Sequence, residues 1–169
     1  MSQRAPGVRR ETPGPGQESV WDYPRPPRLE PAGQTVEIVL GGVVVARSTR
    51  ALRVLETSHP PTYYLPREDF AEGALRPAAG SSWCEWKGRA AYLDVVGGDR
   101  VAERAGWTYP RPERPYEALA DHVAVYPGRM DRCTVDGEVV RPQEGGFYGG
   151  WVTDDVVGPF KGPPGTRGW

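Results

Sequence analysis

Fifteen residues, Ser81 to Val95 (SSWCEWKGRAAYLDV), concentrate the side chains best suited to chemistry: Trp83, Cys84, Glu85, Trp86, Lys87 and Tyr92. Small-molecule sites are built this way, from apolar walls and a few polar groups that fix orientation. Lys87 stands directly after Trp86 and directly before Gly88. A glycine there removes a side chain and lets a ligand or backbone approach closely, and a lysine supplies a mobile point charge. Two further segments carry aromatic side chains, Tyr63-Tyr64 and Trp107 to Tyr109. Glu56 and Arg67 stand at the two ends of LETSHPPTYYLPR, where a turn at Pro60-Pro61 could bring them to one rim. Stacking faces beside Lys or Arg suit a flat ligand that is polar or anionic. The candidate binding residues are therefore Glu56, Tyr63, Tyr64, Arg67, Cys84, Trp86, Lys87, Tyr92, Trp107 and Tyr109. Ordinary core packing explains the same aromatics without any ligand.

Other chemistries have weaker footing. Phosphoryl transfer needs carboxylates to hold Mg²⁺ and a grip on the phosphates. After Gly80-Ser81 only Glu85 and Asp94 follow, and Asp154-Asp155 are adjacent, so on a strand they face opposite ways. No glycine-rich loop opens a helix. Zinc sites use Cys or His pairs at short spacing, whereas Cys84, Cys133, His59 and His122 are isolated from one another. No metal and no cofactor is expected, and no catalytic residue is assigned. Cys84 near Lys87 is a candidate reactive thiol, but no spacing rule sets a histidine against it.

These residues must be positioned by a chain rich in turns. With 22 Gly and 19 Pro in 169 residues, long helices are disfavoured. Val36, Ile38 and Leu40 lead through Gly41-Gly42 into Val43 to Val45, a hairpin with a primed turn; Asp136-Gly137 signals another. Ala51–Glu56, Thr62–Leu65, Gly88–Val95, Val101–Tyr109 and Val123–Tyr126 read as strands, Leu75–Ser82 as a loop, and Arg67 to Phe70 as one helical turn. About eight short strands with close turns mean an all-β fold, a single compact antiparallel sandwich or partly closed barrel.

Three stretches divide the chain. Residues 1–34 are a Pro/Gly-rich arm in which Trp21 and Tyr23 are the apolar exceptions; 35–140 form the β domain; 141–169 carry Phe147, Tyr148, Trp151, Phe160 and Trp169. Disordered segments are poor in aromatics, so this extension is expected to pack on the domain. A net charge of −1 takes away the electrostatic handle for nucleic acid or a membrane surface. No apolar run reaches membrane-spanning length, and two cysteines make no disulfide framework, so a cytoplasmic protein is expected.

The order of Leu55-Glu56-Thr57, Pro60 to Asp69, Cys84 to Tyr92, Trp107 to Pro110, Val123 to Tyr126 and Val135 to Glu138 resembles domain-of-unknown-function family 427. The resemblance runs from about Val36 to Val140, and FYGGWVTDDVVGPFKG is similar to the extension of that family's bacterial members. It implies a compact, mostly antiparallel β domain. The family also carries a nucleotidyltransferase-like label, which would make Asp69, Glu85 or Asp94 metal ligands. Three functions follow for testing: a small-molecule-binding domain, a nucleotidyltransferase-like enzyme using the same pocket, and a protein-interaction module.

Overall fold

The computed structural model describes residues 7–169. The first six residues of the expected arm lie outside the described residues. Strands are β1 (Glu18–Ser19), β2 (Arg28–Pro31), β3 (Val36–Leu40), β4 (Val43–Ser48), β5 (Leu52–Leu55), β6 (Thr62–Pro66), β7 (Leu75–Cys84), β8 (Gly88–Gly97) and β9 (Arg100–Thr108). They continue as β10 (His122–Val125), β11 (Arg132–Val135), β12 (Glu138–Val139), β13 (Arg141–Pro142), β14 (Trp151–Val152) and β15 (Val156–Val157). The helical content is short 3₁₀ segments such as Arg67–Asp69 and Arg114–Leu119. The fold is all-β, as the turn density demands, and it is not a closed barrel.

Seven strands form one antiparallel sheet in the order β2-β5-β6-β10-β9-β8-β7, and four form another, β12-β11-β3-β4. Both predicted hairpins are present: Gly41 and Gly42 have φ of 61° and 76°, and Asp136 and Gly137 have φ of 48° and 83°, the backbone that a primed turn requires. The two sheets pack face to face around Ile38, Leu40, Val45, Tyr63, Leu65, Val95, Val123 and Trp151. Strand alternation then puts the intervening residues Tyr64, Ala90, Trp107 and Ala124 on the outer face of the larger sheet, where they form a second cluster.

The structure departs from the expected map at the sheet edges and in the N-terminal stretch. Leu75–Cys84, which includes the expected loop, is the edge strand β7, with a register irregularity between Pro77 and Ser81. Ala-Ala-Gly-Ser-Ser has no apolar alternation because an edge strand with little burial does not need one. Within the stretch read as an arm, Val20, Trp21 and Tyr23 are buried in a third cluster with Leu55 and Val156. Arg28–Pro31 is the other edge of the large sheet, paired with β5. Finally, β1 pairs in parallel with β15, so the two ends of the described chain lie together. No helix among the described residues is long and apolar enough to cross a membrane.

Candidate functional site

The outer face of the large sheet floors a cavity of about 390 Å³, within the ~300–1,000 Å³ range of small-molecule sites. Strand β6 contributes Tyr64, β8 contributes Ala90 and Tyr92, and β9 contributes Trp107, with Tyr109 just beyond it. The end of β7 supplies Cys84, and the turn from β7 to β8 supplies Glu85, Trp86 and Lys87. The loop between β5 and β6 supplies Glu56 and His59, and the C-terminal segment closes the far side with Gln143, Phe147, Tyr148, Gly149 and Lys161.

The aromatic floor is tied together by polar tips. Trp107 Nε1 donates to Tyr64 Oη at 3.3 Å, and the two rings meet edge to face at 6.3 Å. Tyr109 also lies 6.3 Å from Tyr64, and Trp107 lies 4.6 Å from Tyr126. Burial pushes the Tyr64 phenol above its ordinary range, so it is neutral at physiological pH. Lys87 Nζ sits 5.6 Å from the centre of the Tyr109 ring, a cation–π contact. Burial pulls the Lys87 ammonium down, but Tyr64, Cys84 and Glu56 push it up by more, leaving it above the ordinary lysine value. With Tyr64 neutral, Glu56 is the nearby carboxylate that holds this charge in place.

Glu56 is held by its own shell. Its Oε2 lies 3.4 Å from His59 Nε2 and 3.5 Å from Arg25 Nε. Burial raises its carboxyl, and the hydrogen bond and charge of His59, with Lys87 and Arg25, outweigh this and bring it below the usual range. Gln143 fixes the histidine tautomer. Its Oε1 accepts from Gly150 N at 3.1 Å, and its Nε2 donates to Lys161 O at 2.7 Å and faces His59 Nδ1 at 3.2 Å. The amide nitrogen can only donate, so Nδ1 accepts and the proton of neutral His59 sits on Nε2, toward Glu56. Between Glu56 and His59, Ser58 is buried in the left-handed region at φ 71°, and its hydroxyl has no partner. Its backbone ties the loop at both ends, donating to Val20 O at 3.1 Å and accepting from Lys161 N at 2.9 Å.

Of the residues singled out in sequence, Glu56, Tyr64, Cys84, Trp86, Lys87, Tyr92, Trp107 and Tyr109 line the one cavity. Tyr63 does not. It neighbours Tyr64 on β6 and so faces the opposite way, into the core between the sheets, 5.0 Å from Trp151. Burial pushes its phenol up to about 12. Arg67 does not line it either. It opens the 3₁₀ turn after β6, with its backbone N–H on Asp121 O, away from the cavity. Nor do the carboxylates considered as metal ligands converge. Asp69 pairs with Arg50 at 3.0 Å, Asp94 accepts from the Arg104 amide at 2.8 Å, and Glu85 alone lines the cavity. Among the described residues no three His, Cys, Asp or Glu side chains group to hold a metal ion. Cys133 is buried between the sheets, which pushes its thiol up to about 12.

Sequence reasoning missed His59, Gln143, Tyr148 and Lys161 as members of one site with Lys87. A signal for Lys161 was present. The chain has only two lysines, and each stands between an aromatic residue and a glycine, in Trp86-Lys87-Gly88 and Phe160-Lys161-Gly162. Both line this cavity. The Gly149-Gly150 pair was a second signal: a Cβ on Gly149 would lie 2.2 Å from Trp107 Cη2, and one on Gly150 would lie 2.5 Å from Gln143 Oε1. These glycines let the C-terminal segment seat against the aromatic floor.

A family model described as a domain of unknown function (DUF427), with the short label NTP_transf_9, matches residues 28–136. No match was found among curated proteins.

Proposed function

The chain belongs to the DUF427 family, and from the geometry of its site we propose that it is a small-molecule-binding β domain. Its ligand is a flat polar or anionic compound that stacks on the aromatic floor and is oriented by Lys87. One observation carries this reading. Aromatic side chains from three strands converge on a cavity of about 390 Å³ whose polar groups include an ammonium with no carboxylate in contact. A purely structural cluster would have no need to hold a lysine at this depth, where burial works against its charge. Cytoplasmic location, with both cysteines free, goes with this reading.

The nucleotidyltransferase-like alternative draws on the family label, and the separation of Asp69, Glu85 and Asp94 gives it no support. A protein-interaction reading draws on Trp83 and Phe147, which are 68% and 78% exposed and line the same cavity. Two large exposed aromatics at one cavity suit a ligand that extends past its mouth equally well.

Titration of intrinsic Trp fluorescence with nucleotides and aromatic anions tests the proposal. Saturable quenching is expected, and Lys87→Met should weaken it by about tenfold while stability changes by no more than about 1 kcal/mol, since Met keeps the apolar stem and Lys87 has no ion pair to lose among the described residues. No response to any flat ligand, or a large loss of stability in Lys87→Met, would return these residues to core and surface.

A further inference from the structure

We propose that the ligand carries a lactam edge, a ring carbonyl beside a ring N–H, and is not an aromatic anion. This rests on the small-molecule reading above and narrows it.

The inventory of polar groups around the cavity leads here. His59 has both ring nitrogens engaged, Nε2 at 3.4 Å from Glu56 Oε2 and Nδ1 at 3.2 Å from Gln143 Nε2. Gln143 is saturated by Gly150 N, Lys161 O and His59. Lys161 Nζ donates to Trp169 O at 3.2 Å and lies 5.8 Å from the centre of the Tyr148 ring. Glu85 is exposed on the turn. Of the charged groups left, Lys87 and one oxygen of Glu56 have no hydrogen bond to backbone or to another charged side chain among the described residues. Lys87 touches the Tyr109 ring and the Cys84 thiol, so it retains donors for a ligand. The closest approaches of His59 and Arg25 to Glu56 both fall on Oε2, so Oε1 remains an acceptor.

Beside the neutral hydroxyls of the lining tyrosines, the site therefore sets one open charged donor near one open charged acceptor. Lys87 and Glu56 are near enough for each to stabilise the other's ionised form, yet their ion-pair contacts do not include one another. An anion placed on Lys87 would gain that attraction and meet the Glu56 charge as well, so the two effects oppose. A carbonyl beside an N–H meets both: the carbonyl accepts from Lys87 and the N–H donates to Glu56. Planarity comes from the walls. Trp86, Tyr92, Trp107 and Tyr126 lie on the sheet side, and Tyr148 on the side of the C-terminal segment. A flat ring presents both faces to such a slot, which a tetrahedral zwitterion head does not.

The test uses the full chain and four kinds of probe. Uridine and riboflavin both present the lactam edge, one on a single ring and one on three fused rings. Their N3-methyl derivatives keep the carbonyls and lose the donor. 2-Naphthoate is the aromatic anion and phenylalanine the zwitterion. Fluorescence titration should show uridine or riboflavin binding, with N3-methylation weakening it about tenfold or more, because a buried acceptor is then left facing a methyl. Glu56→Gln should shrink that discrimination, and the methylated ligands test the idea on unaltered protein if this variant does not fold. Equal binding of methylated and unmethylated ligands, or tighter binding of 2-naphthoate or phenylalanine, overturns the lactam assignment and leaves a small-molecule site standing. No response to any of the probes takes the small-molecule reading down with it.

Discussion

Glu56 keeps its charge in a half-buried position because three cations or donors face it: His59, Arg25 and Lys87. Its folded pKa is lowered, so the sign of its effect on stability is set. The contribution is fully present above the unfolded carboxylate value, about 4.3, and is lost as pH falls through the folded value below it. Glu18 is lowered too: burial raises its carboxyl, and the hydrogen bond and charge of Arg53 outweigh that, so the wild-type curve alone would not isolate Glu56. Urea unfolding of wild type and Glu56→Gln, from pH 7 down to pH 3, separates them. The stability advantage of the wild type should be constant near neutrality and narrow below about pH 4. An advantage that persists undiminished at pH 3 would show that the Glu56 carboxyl is not lowered by folding.

The strands and turns act mainly by choosing faces. On β6 one residue of register separates Tyr63 in the intersheet core from Tyr64 on the cavity floor. The β7–β8 turn brings Trp86 and Lys87 over that floor, and Gly88 at φ 104° lets the turn close against the backbone of Arg111 and Glu113. The segment from Gln143 to Trp151 forms the opposite wall, pinned by Gln143 N on Gly150 O at 3.0 Å and Trp151 N on Pro61 O at 2.8 Å. Gly149 is the tightest point of this docking. In Gly149→Ala the new Cβ would fall 2.2 Å from Trp107 Cη2, and Trp107 is itself packed on Tyr126 and bonded to Tyr64. Destabilisation of about 1–3 kcal/mol is expected from the overpacking, together with a shifted Trp emission spectrum. An unchanged melting curve and spectrum would mean that the wall stands off the floor.

At the scale of the whole molecule, the C-terminal segment belongs to the core as much as to the site. Trp151 is fully buried between the sheets, and its Nε1 donates to Val125 O at 3.3 Å. Trp21 Nε1 donates to Pro159 O at 2.9 Å, and β1 and β15 close the ends of the described chain on each other. Deleting residues 147–169 would remove the Trp151 side chain, which on burial is worth about 4–6 kcal/mol from ~150–250 Å² of surface. At about 2–4 °C per kcal/mol for a chain of this size, the melting temperature should drop by about 8–24 °C. A truncated chain that melts like the full one would assign the segment to the surface.

What the sequence by itself determined was the class of fold and an aromatic cluster with a lysine beside it. Gly-Gly and Asp-Gly between β-branched runs force hairpins, and the density of Gly and Pro forbids long helices, so an all-β fold follows from local backbone preferences. Trp86, Lys87, Trp107 and Tyr109 were legible because large aromatics beside a charge are costly to place without a reason. Tertiary structure alone decided which face each residue takes and which segments meet. Tyr63 and Tyr64 are chemically identical neighbours, and only sheet register parts them. Lys161 and Gln143 reach the cavity from far along the chain because Gly149, Gly150 and Trp151 fit grooves that exist only once the sheets are packed. Leu75–Cys84 is a strand because β8 offers it a ladder, and Arg28–Pro31 because β5 does. Backbone pairing of that kind leaves little mark on side-chain pattern at a sheet edge, where burial asks almost nothing of the sequence.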